Sequence, residues 1–206
     1  RAGWAYISSG TWSLVGIERD EPLLSADVLN GGFTNESGVC GTVRLLTNVM
    51  GLWLLESCRR EWEAEGRPQP IDALLAAVGL AGEPAGVIFP DDQRFFAPAS
   101  MVRELRDALR ETGQQAPDDP VRLAKVVLDS LALRYAASVR TIERITGRAI
   151  PGIHIVGGGS LNWYLNQATA DAAGREVLAG PVEATAIGNL LVQEMSAGSM
   201  GSLAEG

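Results

Sequence analysis

Two short stretches carry the residue types that a phosphate or a nucleotide needs. Ser8-Ser9-Gly10-Thr11-Trp12-Ser13 places hydroxyls and a glycine between two β-rich runs. A tight turn of that composition offers O–H and N–H donors to terminal phosphates, as a nest of backbone N–H groups does. It is equally the composition of an ordinary Ser/Thr/Gly hairpin. Gly157-Gly158-Gly159-Ser160-Leu161-Asn162 follows the strand-type run 153–156 and opens an apolar-periodic segment, Leu161, Tyr164, Leu165, Ala168 and Ala172, that stops at Gly174. Glycines there leave the main chain bare for a closely approaching ligand, and the N–H groups of a helix start favour anionic groups. Such a turn serves either a nucleotide or plain strand-to-helix punctuation. The Asn162 amide can pair with polar ring edges, while Ser160 reads as the cap of the helix that follows.

A third candidate is Asn48, read as the start of an apolar helix with Glu56 two turns further along the same face. A polar residue there is a helix cap unless the hairpin and the helix start converge on one cleft. His154, the single histidine, sits in a strand beside Ile and Val and reads as a hydrogen-bonded structural residue. Asp91-Asp92, next to Pro90, reads as a solvated turn rather than a metal pair. No GxxxxGK[ST], HExxH, CxxC or GxSxG pattern occurs, which leaves P-loop, zincin, redox-dithiol and hydrolase-elbow chemistry without support.

The elements that must hold these groups follow from hydropathy patterning. Short antiparallel strands are expected over the first fifty residues, with turns at Asn30-Gly31-Gly32 and Glu36-Ser37-Gly38. Helical spacing covers residues 48–65, and Pro70 opens a further helix that closes at Gly79. Ser100 caps a helix that stops at Gly113, and Asp119-Pro120 opens the longest one, with Leu128, Leu131, Tyr135, Val139 and Ile142 on its apolar face. The strand before the glycine turn, the helix after it, a strand 176–178 and a helix 181–196 complete the chain. Residues 199–206 form a loose Gly/Ser-rich tail outside a domain over 1–198. The class is α/β: a mixed sheet of antiparallel then parallel strands with packed helices. A dinucleotide fingerprint fits poorly, since Asn162 stands where its third glycine belongs.

At 206 residues with 46% apolar content the chain buries a substantial core. Its net charge of -8, with dispersed Lys and Arg, argues against a nucleic-acid or anionic-membrane surface, so phosphate must be held by backbone N–H groups and a metal. Two cysteines without zinc spacing fit a cytoplasmic protein with reduced thiols, and no apolar run is long enough for a membrane span. The chain enters a core strand within a few residues of Arg1, as a piece cut from a longer protein would.

Three segments together carry a resemblance: AYISSGTWSLVGIE at 5–18, TNESGVCGTVRLLTNVMGLWLLESCRREW at 34–62, and HIVGGGSLNWYLNQATADAAGREVLAGPVEATAIGN at 154–189. RFFAPASM and LDSLALRYA extend it more weakly. Their order and spacing resemble the C-terminal half of the FGGY carbohydrate kinases, most closely the L-rhamnulokinase branch. The resemblance implies an actin-like ATPase, ribonuclease-H-like domain that supplies most of an ATP site. It implies Ser9, Gly10 and Thr11 at the terminal phosphates, Gly157, Gly158, Gly159 and Asn162 at the adenosine part, and Asn48 reaching toward the sugar or phosphate. It implies ATP with Mg²⁺, and a ketose held through an N-terminal domain that also carries the catalytic Asp. No catalytic residue is therefore expected in this chain. The implied reaction moves the γ-phosphoryl to L-rhamnulose, giving the 1-phosphate. Xylulose- or fuculose-type kinases and a non-catalytic nucleotide-binding module are the alternatives. The sequence departs from the family pattern at Glu56, where a Gln is usual, and at Thr47, where a Lys is common.

Overall fold

The computed structural model describes residues 3–83 and 86–202. One six-stranded sheet organises it, in the order β3-β4-β2-β1-β5-β6. Strands β1 (Ala5–Ser9) and β2 (Ser13–Arg19) form an antiparallel hairpin whose last pair is Ser9 with Ser13. A five-residue helix α1 (Ala26–Asn30) precedes β3 (Thr34–Ser37) and β4 (Val43–Val49), and β4 pairs antiparallel with both β3 and β2. Three helices follow: α2 (Trp53–Ala64), α3 (Ile71–Leu80) and α4 (Met101–Glu111). The 27-residue α5 (Pro120–Thr146) leads to β5 (Gly152–Val156), α6 (Trp163–Ala173), β6 (Glu176–Ala179) and α7 (Ala184–Ser196). Strands β5 and β6 join β1 in parallel, so the sheet is antiparallel on one side and parallel on the other, as expected.

Alternation decides which face of the sheet is covered. Ala5 and Ile7 of β1, Val15 and Ile17 of β2, and Ile153 and Ile155 of β5 are buried on one face, against the helices. Helix α5 runs along that face with Leu128, Leu131, Tyr135, Val139 and Ile142 all buried. Its ends match the expectation. The Asp119 carboxylate accepts from the N–H groups of Val121 and Arg122, Pro120 fills the first turn, and Gly147 closes the helix at φ 66°.

Four local readings are corrected. The first fifty residues include α1, capped by Ser25 Oγ accepting from Val28 N at 3.3 Å, and Asn30-Gly31-Gly32 is its end. Two residues of the turn expected at Glu36-Ser37-Gly38 belong to a strand, which runs over Thr34–Ser37. Asn48 is not at a helix start: β4 continues through it, pairing Asn48 with Leu14 and Val49 with Ser13, and α2 begins at Trp53. The apolar spacing around Val49 suits a strand and a helix alike, and the ladder with β2 decides it. Finally, α6 is capped by Asn162 rather than Ser160. Helix α7 begins at Ala184, three residues after Pro181, and has no buried residue. Among the described residues no helix is long and apolar enough to cross a membrane. Of the tail, residues 203–206 lie outside the described residues.

Candidate functional site

Parallel pairing of β1 with β5 sets Ser8 beside Val156, so the loops that follow these strands leave the sheet at one edge. The first loop is the three-residue tip Gly10-Thr11-Trp12. The second is the glycine turn, which winds into a 3-10 turn, Gly158–Leu161, before α6. They touch through backbone. Gly157 has φ 84°, and a Cβ there would lie 2.8 Å from the Ser9 carbonyl oxygen. A Cβ on Gly159 would lie 2.0 Å from Ser9 Oγ. Gly158 differs: it is exposed, and nothing stands within 4 Å of where its Cβ would be. Two of the three glycines therefore allow the loops to close on each other, and the middle one presents bare main chain.

The hairpin tip is also fixed from the other side. Helix α2 has no side-chain cap, and the N–H groups of Leu52 and Trp53 donate to the carbonyls of Gly10 at 2.9 Å and Thr11 at 3.1 Å. Gly51 makes this approach possible, since a Cβ there would fall 2.8 Å from Gly10 O and 2.5 Å from Ser13 Oγ. Those two carbonyls take up N–H groups that the start of α2 would otherwise leave unsatisfied, and they pin the tip to the helix. Thr11 is exposed, whereas Ser9 is 2% exposed and Ser13 wholly buried. Ser13 Oγ lies 2.6 Å from the Tyr135 hydroxyl of α5. Burial raises the Tyr135 phenol above its ordinary range, with the Ser13 hydroxyl opposing, so it stays protonated.

The predicted residues thus divide. Gly10, Thr11 and Gly158 face outward from adjoining loops, and Ser9, Gly157 and Gly159 form the packed seam beneath them. Asn162 is 6% exposed and its Oδ1 accepts from Leu165 N at 2.9 Å, so that oxygen is committed to capping α6. Ser160 instead folds back, its hydroxyl donating to Gly157 O at 2.7 Å. His154 is half-buried with Nε2 2.5 Å from Gly180 O, the hydrogen-bonded structural role expected of it.

Asn48 is exposed on a cleft of about 600 Å³, with Trp12, Gln93, Asp91 and Arg134. Trp12 and Phe96 stand at its mouth, ring centroids 6.1 Å apart. Asp91 is not the solvated turn residue its neighbours suggest: it accepts from Met50 N at 2.8 Å and from Arg134 Nε at 2.5 Å. Asp92 caps the 3-10 turn Gln93–Phe95 and pairs with Arg94. Arg134 brings a guanidinium to this cleft, its charge matched by the Asp91 carboxylate, whereas Thr47, 4% exposed, brings no charged group. Sequence patterning hides Arg134 because it lies one residue before buried Tyr135 on a long amphipathic helix and reads as an ordinary solvated cation. Glu56 on α2 binds Arg59 Nη1 through both oxygens, at 2.7 and 2.8 Å, so its charge is answered locally. Among the described residues no three His, Cys, Asp or Glu side chains converge as a metal site.

Residues 5–197 match the model of the C-terminal domain of the FGGY family of carbohydrate kinases. The chain is 44% identical over 195 residues to a rhamnulokinase of Bacteroides thetaiotaomicron, covering 95% of this chain and 39% of that protein. It is 45% identical over 200 residues to a rhamnulokinase of Pectobacterium carotovorum, covering 97% and 40%. The chain thus spans about two-fifths of the length of the curated relatives it matches. Among solved structures, ligand-bound xylulose kinase from Lactobacillus acidophilus superposes with a TM-score of 0.69 at 13% identity, over 99% of this chain and 40% of that one. Plasmodium falciparum glycerol kinase with ADP gives 0.66 at 13%, over 98% and 40%. At such identities these two speak for the fold, the actin-like, ribonuclease-H-like one of sugar kinases. With sheet order, joined loops and sequence in agreement over nearly its whole length, the chain belongs to the FGGY family of carbohydrate kinases, as a C-terminal domain.

Proposed function

We propose that this chain is the ATP-binding half of a kinase that transfers the γ-phosphoryl of ATP to L-rhamnulose, giving L-rhamnulose 1-phosphate and ADP. The observation that carries the reading is the seam between Ser9 and Gly159, which brings a phosphate-type hairpin and a bare glycine turn to one edge of the sheet. The sugar is assigned from the identity to rhamnulokinases, and the ADP of the glycerol kinase structure supports the nucleotide.

In this reading the backbone of Gly10 and the N–H and hydroxyl of Thr11 donate to the terminal phosphates. Gly158 lets the adenosine part lie against the main chain. Asn162 keeps its amide nitrogen for the nucleotide, and its oxygen holds α6. Asn48 faces the acceptor. Mg²⁺ bound with ATP would supply charge neutralisation at the phosphates beside Gly10 and Thr11. The acid–base step lies with an Asp in the N-terminal domain of the full-length protein: it takes the proton of the sugar hydroxyl, the oxygen forms its bond to γ-phosphorus, and the bond to ADP breaks. This chain contributes positioning and electrostatics. The full-length protein works in the cytoplasm.

Calorimetry with ADP and ATP on the chain, with a ketose panel on the full-length protein, tests this. ADP binding with turnover fastest on L-rhamnulose is expected. Turnover fastest on xylulose or fuculose reassigns the sugar, and nucleotide binding without phosphorylation of any ketose overturns the kinase reading in favour of a binding module.

A further inference from the structure

The acceptor-side cleft is organised by a carboxylate that the phosphate hairpin does not touch. Asp91 accepts the Met50 N–H through Oδ1 and Arg134 Nε through Oδ2. Both partners bear on the cleft. Met50 is two residues beyond Asn48, where β4 ends, and Gly51 after it is wedged against Gly10 and Ser13. Arg134 lies over the Phe89 ring at 5.8 Å, with Nη1 donating to Ser138 Oγ at 3.0 Å. Among the described residues its Nη2 has no hydrogen-bond partner, although the guanidinium lines the cleft.

A carboxylate in this place fixes two donor groups relative to each other: the Asn48 amide through two residues of backbone, and the guanidinium directly. A guanidinium only donates, while an amide both donates and accepts. Trp12 and Phe96 add an aromatic face at the mouth. Planar donors beside an aromatic face suit a polyhydroxylated carbon chain, with oxygens toward the donors and C–H bonds toward the rings. An ion pair serving stability alone has no need of an open guanidinium edge at a cleft.

We propose that Asp91 is a positioning residue of the acceptor site, holding Arg134 and Asn48 together as donors to the oxygens of a ketose, and that Arg134 is a specificity-determining residue for that ketose. This rests on the sugar-kinase reading above.

The test is steady-state kinetics of the full-length protein with L-rhamnulose and ATP varied in turn, alongside thermal melts, for Arg134→Met, Arg134→Lys and Asp91→Asn. Arg134→Met is expected to raise the ketose KM about ten- to a hundredfold and leave the ATP KM within about twofold, with Arg134→Lys recovering part of the loss. Asp91→Asn keeps an acceptor for Met50 but loses the charge that orients Arg134, so it raises the ketose KM and lowers kcat. Unchanged KM values with lowered melting temperatures, a shift confined to the ATP KM, or loss of folding in all three variants overturn the proposal by making the pair purely structural. No phosphorylation of any ketose by the unsubstituted protein overturns the kinase reading, and this inference with it.

Discussion

Gly159 and Ser9 occupy one space: a Cβ on Gly159 would stand 2.0 Å from Ser9 Oγ, 2.6 Å from its Cβ and 3.0 Å from its carbonyl oxygen. The glycine turn and the hairpin therefore form a single packed unit across the β1–β5 register. Gly159→Ala is expected to destabilise the chain by about 1–3 kcal/mol through overpacking. Adding Ser9→Gly restores part of that loss, and the double-mutant cycle in urea gives a coupling of about 0.5 kcal/mol or more. Gly158→Val behaves oppositely. With open space around it, it keeps the melting temperature and weakens ADP binding by about tenfold or more, as expected of a main chain that a ligand must approach closely. Equal ADP affinity in Gly158→Val would remove the glycine turn from the nucleotide site.

How much of this was legible in sequence depends on whether a group acts locally or through a distant partner. The Asp119-Pro120 start, the Ser100 cap and the Ser8–Ser13 hairpin are local chemistry, and the structure has them as read. The division of labour among Gly157, Gly158 and Gly159 was not legible, because it depends on Ser9, about 150 residues away and brought there by parallel pairing. Local periodicity puts Asn48 on a helix because the β2 strand that captures it is invisible at that range. Asp91 shows the same limit: beside a proline it reads as a turn, and Met50 and Arg134, 41 and 43 residues away, tie it into a network.

Tyr135 and Ser13 anchor the hairpin to the core. Their hydroxyls meet at 2.6 Å, with both residues fully buried. Tyr135→Phe leaves the Ser13 hydroxyl without its partner in the core and is expected to cost about 1–3 kcal/mol. Ser13→Ala together with Tyr135→Phe removes both hydroxyls and costs less than the sum of the two single changes. Urea unfolding of the four proteins measures this, and strict additivity would show that the hydroxyl pair contributes nothing.

The opposite edge of the sheet is held by a carboxylate whose pH response has a defined sign. Glu143 near the end of α5 accepts from Ile150 N at 2.9 Å and from Arg175 Nη2 at 3.1 Å, while Arg175 Nε donates to Ile150 O at 2.8 Å. The Ile150 N–H, against partial burial and with help from Arg175, holds the Glu143 carboxyl below its usual value. A folded-state value lower than the unfolded one gives stability that is present above the unfolded value, about 4.3. That stability is lost as pH falls through the folded value. Glu143→Gln keeps an acceptor for Ile150 and loses the titration. Its unfolding free energy is expected to fall less steeply than that of the unsubstituted chain below about pH 4.5, as read by denaturant melts at several pH values. Parallel curves would show that Glu143 does not drive acid sensitivity.

Glu56 carries contacts on α2 that give a measurable effect. Arg59 Nη1 binds both of its oxygens, and Arg59 Nε donates to Gln69 O at 2.9 Å. The pair is partly exposed, so breaking it costs only about 0–1 kcal/mol. If the chain binds a nucleotide as proposed, the consequence of the pair lies in the field at the phosphates. A carboxylate with a bound guanidinium repels phosphate weakly, and one without it repels phosphate fully. Arg59→Gln is therefore expected to weaken ADP binding several-fold at low ionic strength, and Glu56→Gln to strengthen it. Both effects shrink toward about 1 M salt, where the screening length falls to roughly 3 Å. Calorimetry with ADP across a salt series reads all of this at once. An affinity independent of both substitutions at low salt would place Glu56 away from the phosphates and remove it from any account of nucleotide preference.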